Sequence, residues 1–334
     1  MALLLDEPTG KKDIDFTRGF LTALDGMKDT PFKIDLKVVD GRAATTKIIE
    51  TFDDFEPNLI IATADKSFPA FLADYGNQNQ VEIVNVFDIK NELCEDNPSI
   101  VQLLPGSAYF NQQMGEQIAE DYGNRQIIMV GNQDKGDAIA ETFLSKVAPA
   151  SVKKTSVSGL SSVTLKEDGE YLFYCYPTRR EEIADILQAV ENLKEQQPLA
   201  EIIVVGRPNW VTYADTYGDR FGDAGVIIPS RVWFDNESTL GKRFIRNFTS
   251  LFGTAPMKSF PNFAASGYDV ANYFIPSTSK NGGDFNKGFI DIDAEMVQGD
   301  IRLERVNNWG GFINKAGYLV RFRPGGYIDK TMLK

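Results

Sequence analysis

The sequence predicts an α/β protein with two lobes, each built on a Rossmann-like parallel sheet. Short apolar runs alternate with segments of helical period along most of the chain. The runs are continuously apolar, as in parallel strands covered on both faces by crossover helices. At 334 residues the chain also exceeds what one hydrophobic core usually serves, which favours two domains.

The elements follow in order. Strands are predicted at residues 2–5, 34–39, 59–62, 82–86, 126–130, 171–175, 201–205 and 226–228, each a short, predominantly apolar run of three to six residues. Between them, Phe16, Phe20, Leu21, Leu24 and Met27 form one helical stripe, and Ile139, Phe143, Leu144 and Val147 form another. The clearest unit spans residues 171–197. YLFYC ends at Tyr176-Pro177, Thr178 and Glu181 have capping-box spacing, and Ile183, Ile186, Leu187, Val190 and Leu193 recur at helical intervals until Pro198 stops them. Further on, Phe244, Phe248 and Phe252 make an aromatic stripe that stops at Gly253 and Pro256. A polar-aromatic loop leads from there to a helix opening near Gly267-Tyr268-Asp269. After Gly283 the pattern changes to two strands, GDIRLERV and GYLVRFR, joined by a turn-rich segment without a crossover helix.

Composition narrows the function. The net charge is −12, which disfavours nucleic acid and anionic lipid as partners. Basic residues from Arg302 to Lys334 read as solvated strand edges. The chain has no histidine, which removes Ser-His-Asp and Cys-His catalysis and His-ligated zinc. Cys94 and Cys175 suggest no disulfide framework, and Cys175 in its apolar run reads as a small buried hydrophobe. ALLLD after Met1 is a first strand rather than a secretion signal, and no run is long enough to insert directly in a membrane.

The motifs argue against cofactors. GNQDKGDA, residues 131–138, has P-loop glycine spacing, but Asp137 and Ala138 stand where Lys and Ser/Thr are needed, and a carboxylate there repels phosphate. No GxGxxG follows the first strand. Asp291, Asp293 and Glu295 suggest an oxygen-ligand metal site, but Met296 occupies the position where an EF-hand loop needs glycine. The expectation is no cofactor, no metal and no enzyme. The aromatics Tyr174, Tyr176, Trp210, Trp233 and Phe234 lie near predicted strand ends, where they either stack on a ligand or pack the hinge.

The stretch SFPNFAASGYDVANYF, residues 259–274, resembles the late signature of type I periplasmic-binding-protein-like domains, in which a helix break precedes a "YDA" helix. The resemblance covers nearly the whole chain, including ALLLD, FTRGFLTAL and MVGNQDKGDAIAETF. It implies two discontinuous lobes, residues 1–107 with 254–298 and 108–253 with 299–334, joined by hinge crossings near Gly106–Ala108, Gly253–Pro256 and Gly299. It implies non-catalytic recognition of a small polar molecule between the lobes, in the periplasm or cell envelope, with the leader outside this chain and a cytoplasmic location as the alternative. Ligand contacts are expected from Thr63, Asp65, Ser67, Phe87 and Asp88 on one side and from Asn132, Asp134, Tyr176, Trp210 and Trp233 on the other. Ala62-Thr63 replaces the Gly-Pro of amino-acid-binding relatives, and Phe87 and Asp88 stand where they carry small hydroxyl residues, so the amino-acid grip is expected to be lost. Lys66 is expected to be the only nearby cation. The runner-up reading is an interaction module with an envelope or peptidoglycan-associated partner, like relatives that accompany a LysM module. A cytoplasmic α/β enzyme without histidine is the third.

Overall fold

The computed structural model describes residues 1–28, 33–66, 68–90, 93–132, 136–281, 292 and 294–333. The chain divides into two compact units, one of Met1–Ser107 and Val232–Ala316, the other of Ala108–Arg231 and Gly317–Lys334.

The first unit holds β1 (Ala2–Leu5), α1 (Lys11–Gly26), β2 (Lys37–Asp40), α2 (Thr45–Phe55), β3 (Leu59–Ala62), α3 (Phe71–Asn79), β4 (Glu82–Asn85) and β5 (Ile100–Gln102). The second holds most of α4 (Ser107–Tyr122), then β6 (Gln126–Val130), α5 (Ala138–Lys146), β7 (Val152–Thr155), β8 (Glu170–Cys175), α6 (Arg180–Gln196), β9 (Glu201–Val205), α7 (Ala214–Ala224) and β10 (Val226–Ser230). The chain then returns to the first unit with α8 (Thr239–Phe252), α9 (Phe263–Asn281), β11 (Leu303–Arg305) and β12 (Phe312–Asn314), and ends in the second with β13 (Tyr318–Arg323) and β14 (Tyr327–Met332).

The two sheets repeat one plan. Their strand orders are β11-β12-β5-β4-β3-β1-β2 and β14-β13-β10-β9-β8-β6-β7, so each has a parallel run of five strands followed by two closing strands. In the first sheet β12 pairs parallel to β5 and β11 antiparallel to β12; in the second, β13 and β14 are both antiparallel. Parallel strands explain the unbroken apolar runs. Leu3, Leu5, Ile61, Val84 and Val101 pack with Phe16 and Phe20 of α1 and Val270 and Phe274 of α9. Their neighbours Ala2, Leu4, Ile60, Ile83 and Ile100 pack with Ile48 and Phe52 of α2 and Leu72 of α3. Successive side chains point to opposite faces, and both faces are covered.

The first change of unit falls at Ser107/Ala108, but the other two lie at Arg231/Val232 and Ala316/Gly317. The Gly253–Pro256 expectation mistook a helix stop for a change of unit. Gly253 ends α8 in the left-handed conformation (φ 70°), yet α8 belongs to the first unit because Phe244 and Phe248 cluster with Ala264, Ala265 and Val297. Gly299 is likewise too early, because residues 300–316 carry β11 and β12.

The GYD signature has a physical account. Helix α9 opens at Phe263, earlier than expected, where Asn262 Oδ1 accepts Ala265 N–H at 2.9 Å. A Cβ on Gly267 would stand 2.0 Å from Phe16 O, and one on Gly19 1.8 Å from Ala264 O, so these glycines let α1 and α9 pack backbone to backbone. Tyr268 meets Phe244 edge to face at 4.9 Å between centroids. Asp269 accepts the N–H groups of Val297, Gln298 and Gly299 at 2.7, 2.9 and 3.2 Å.

The capping box at Thr178 does not form. Arg179 is the N-cap of α6 and makes no side-chain cap bond, while Thr178 O accepts Asn209 Nδ2 and Tyr213 Oη. Asp291 and Asp293 lie outside the described residues, and Glu295 pairs with Arg243. Among the described residues no cluster of three His, Cys, Asp or Glu side chains could hold a metal ion, and no helix is long and apolar enough to cross a membrane.

Candidate functional site

Loops that follow the carboxyl ends of parallel strands are where open sheets receive ligands. In the second unit four strands bring polar side chains to that edge. Asp137 lies in the loop after β6 and caps α5, its Oδ1 accepting Ala140 N–H at 3.1 Å. Tyr174 of β8 donates its phenol to the same carboxylate, 3.1 Å from Oδ2 and 3.3 Å from Oδ1. Arg207, two residues past β9, sets Nη1 2.7 Å from Asp137 Oδ2. Arg231 follows β10 directly, its guanidinium 4.1 Å from the Phe110 ring centroid, and burial lowers its pKa to about 10.

The Asp137 side chain is only 2% exposed, and the guanidinium and two hydrogen-bond donors offset the cost of burying it. Burial, then the nearby Asp137 charge, pushes the Tyr174 phenol well above the ordinary value. Tyr176, just past β8, is 5% exposed and tilts against Tyr174 at 5.6 Å. Burial first, then Asp137, raises its pKa to about 12, so it stays protonated as a donor. Its hydroxyl has no hydrogen-bond partner among the described residues. Asp137, which looked like the defect of a P-loop, is the anchor of this cluster. With two guanidinium groups and one carboxylate, these groups suit a polar ligand that accepts hydrogen bonds.

In the first unit the same edge is organised by a residue that strand-end reasoning missed. Lys12, on the first turn of α1, lies 3.3 Å from Asp6 Oδ2 and 3.2 Å from Asp65 Oδ2, and donates to Thr63 O at 3.0 Å. It also sits 5.7 Å above the Phe87 ring centroid. Lys12 is therefore a cation at Asp65 in addition to the expected Lys66. The fully buried Thr63 accepts Asp6 N–H on Oγ1 at 3.0 Å, and Asp13 accepts Glu7 N–H at 2.6 Å. The loop after β1 is thus held from below by buried oxygen atoms.

The expected contact residues fare differently. Asp65 and Asn132 lie at carboxyl edges, Asn132 exposed and Asp65 joined to Lys12. Ser67 and Asp134 lie outside the described residues. Phe87 is core, edge to face with Phe16 and Phe263 at 5.8 and 5.5 Å. Asp88 is consumed by two loops, accepting Phe68 N–H from the loop after β3 and Lys90 N–H from its own, at 2.9 Å each. Trp210 is 0% exposed, stacks on Phe221 at 5.8 Å, and donates Nε1–H to Pro177 O at 2.7 Å, so it packs the second unit. Trp233 belongs to the first unit, is buried, and donates its backbone N–H to Gln298 O at 2.9 Å. Arg207 and Arg231 were discoverable, since each closely follows a predicted strand. Lys12 was not, because it reaches the edge from a helix.

A cavity of about 30 Å³ in the first unit is bounded by Asp269, Gln298 and Asn314. It is of a size for a water or two, and the polar atoms around it are hydrogen-bonded within the unit.

Two units that repeat one five-strand parallel order, each completed by late strands after the chain returns, define the type I periplasmic-binding-protein fold. Among solved structures, the chain is similar to a putative branched-chain amino acid ABC transporter protein from Rhodospirillum rubrum (TM-score 0.70, 15% identity, 99% of each chain covered). It is also similar to a branched-chain amino acid ABC transporter periplasmic ligand-binding protein from Burkholderia xenovorans (0.61, 13%, 99% of this chain and 94% of that one). A third is an ABC transporter solute-binding protein from R. palustris in complex with benzoate (0.52, 13%, 99% and 95%). No protein-family model and no curated protein matches the sequence.

Proposed function

We propose that this protein is a non-catalytic solute-binding protein of the periplasm or cell envelope. It takes a small polar molecule through the loops at the carboxyl edges of its sheets. The carrying observation is the buried Tyr176 hydroxyl, which has no hydrogen-bond partner among the described residues and lies beside the Asp137–Arg207 pair. An orphaned buried donor costs free energy that a ligand acceptor recovers. The fold relatives named as ligand-binding proteins support the general role. The missing histidine and the defective phosphate loop support the non-catalytic reading.

The test is a thermal-shift screen of carboxylates, amino acids, neutral sugars and polyamines, followed by calorimetry on any stabiliser. A ligand present at a hundred times its Kd adds about 2.7 kcal/mol of stability. Tyr176→Phe keeps the ring packing and removes only the unpartnered hydroxyl. It should melt at or above the wild-type temperature while binding the ligand about tenfold more weakly, the loss of one hydrogen bond. Equal affinity in the variant would remove Tyr176 from the site. Turnover of the ligand to a product would refute the non-catalytic reading.

A further inference from the structure

Trp309 is the most exposed large hydrophobic side chain among the described residues, at 82%. It stands on the turn between β11 and β12. Because β12 runs parallel to β5, this turn lies at the amino edge of the first sheet, opposite the edge that carries Thr63 and Asp65. We propose that it is a second binding site, for a neutral saccharide.

The turn is fixed before any ligand arrives. Asn307 Oδ1 accepts both Trp309 N–H and Gly310 N–H at 2.7 Å, and Asn307 Nδ2 donates to Glu95 O at 2.9 Å. Arg305 Nη1 donates to Gly310 O at 2.7 Å, and Gly311 N–H to Cys94 O at 2.7 Å. A Cβ on Gly310 would stand 2.7 Å from Glu95 O, and one on Gly311 1.9 Å from Ile100 O, so glycine alone permits this seating. The backbone beneath the indole is therefore already ordered, and a ligand need not meet the cost of ordering it.

The surroundings select the partner. Among the described residues, the exposed neighbours on the two joined loops are Glu95, Asp96, Pro98, Asn307 and Asn308, and no other large hydrophobic from these loops is exposed. A protein partner calls for an apolar patch around its anchor, which one isolated ring does not provide. Anionic lipid, phosphate or uronate calls for exposed basic side chains; among the described residues the exposed charges of these loops are carboxylates, and Arg305, only partly exposed, is engaged with Gly310 O. A neutral pyranose matches both features. Its C–H face covers one side of an indole, and its rim of hydroxyls meets amides and carboxylates.

All three indoles emit, but acrylamide quenching reads this site almost alone, because Trp210 and Trp233 are buried. Chitotetraose and cellotetraose are titrated at millimolar concentration while acrylamide quenching and the emission maximum are followed. At least one should give a saturable blue shift and a fall in quenching. Trp309→Ala should abolish both without changing the melting temperature, and Trp309→Phe should bind roughly five- to tenfold more weakly than wild type. No protection by either saccharide overturns the site. So does protection that grows with protein concentration alone, which would assign the indole to a contact between copies. Tyr176→Phe should leave the response intact; its loss there would move the saccharide to the carboxyl-edge site, so the two readings fail separately.

Discussion

At the scale of single residues, burial decides which polar groups are structural and which are available. Asp137 is buried and its partner Arg207 partly so, and among the described residues Arg207→Ala would leave the carboxylate with only the Tyr174 hydroxyl and Ala140 N–H. Chemical denaturation should show a loss of about 3 kcal/mol, the range for removing one partner of a buried ion pair. Trp210→Ala should destabilise by about 3–5 kcal/mol through the cavity it leaves, with ligand affinity unchanged in the folded fraction. Glu82 supplies the pH dependence. Burial raises its pKa to about 7, against a weaker opposing effect of Arg305, and one of its oxygens has no partner among the described residues. The folded state thus favours the protonated acid. Its stabilising contribution is complete below the unfolded value near 4.5 and is lost as pH rises through about 7. Urea unfolding at pH 5 and pH 8 should therefore show Glu82→Gln more stable than wild type at the higher pH, with that gain shrinking at the lower one.

At the scale of elements, the α1–α9 contact is the most demanding packing in the first unit. Gly267→Ala would drive a methyl into Phe16 O, a backbone atom with little room to retreat. A loss of about 1–3 kcal/mol or more is expected, read as a lower urea midpoint at unchanged slope. The slope matters because local repacking should leave the surface exposed on unfolding unaltered. The aromatic stripe of α8 was legible as an amphipathic face, but its owner was not. Periodicity states that Phe244 and Phe248 are buried; only the fold states that they are buried on α9 rather than on the second unit.

At the scale of the whole molecule, the prediction concerns what is bound. Leucine, isoleucine and valine should bind weakly in calorimetry. Thr63 Oγ1 already accepts a backbone N–H and Lys12 is matched to Asp6 and Asp65, so the first unit has few groups ready for an amino-acid ligand. A low-micromolar constant for any of the three would show that these groups rearrange to receive it. ATP and NAD should likewise give no saturable thermal shift, since Asp137 sits where a phosphate-binding loop needs lysine, nor should divalent cations, since the described residues hold no cluster of three ligating side chains.

The sequence by itself determined the α/β class and most parallel strands, and it directed the search for a site to their carboxyl edges. These follow from local patterns, because a strand covered on both faces must be continuously apolar and its loops must emerge at its ends. Strands β5 and β12 escaped because three residues carry little pattern, and β7 and β14 because VKKT and YIDKTM are mostly exposed edge strands without an apolar run. Tertiary structure decided which side chains at that edge are free to act. Phe87, Asp88 and Trp210 were placed correctly along the chain, yet their side chains are taken up by the core, a loop cap and a buried carbonyl. Lys12 and Asp137 gained their roles from residues 53 and 70 positions away, Asp65 and Arg207. A charge acquires its partner only when folding brings distant segments together, and no spacing along the chain records that encounter.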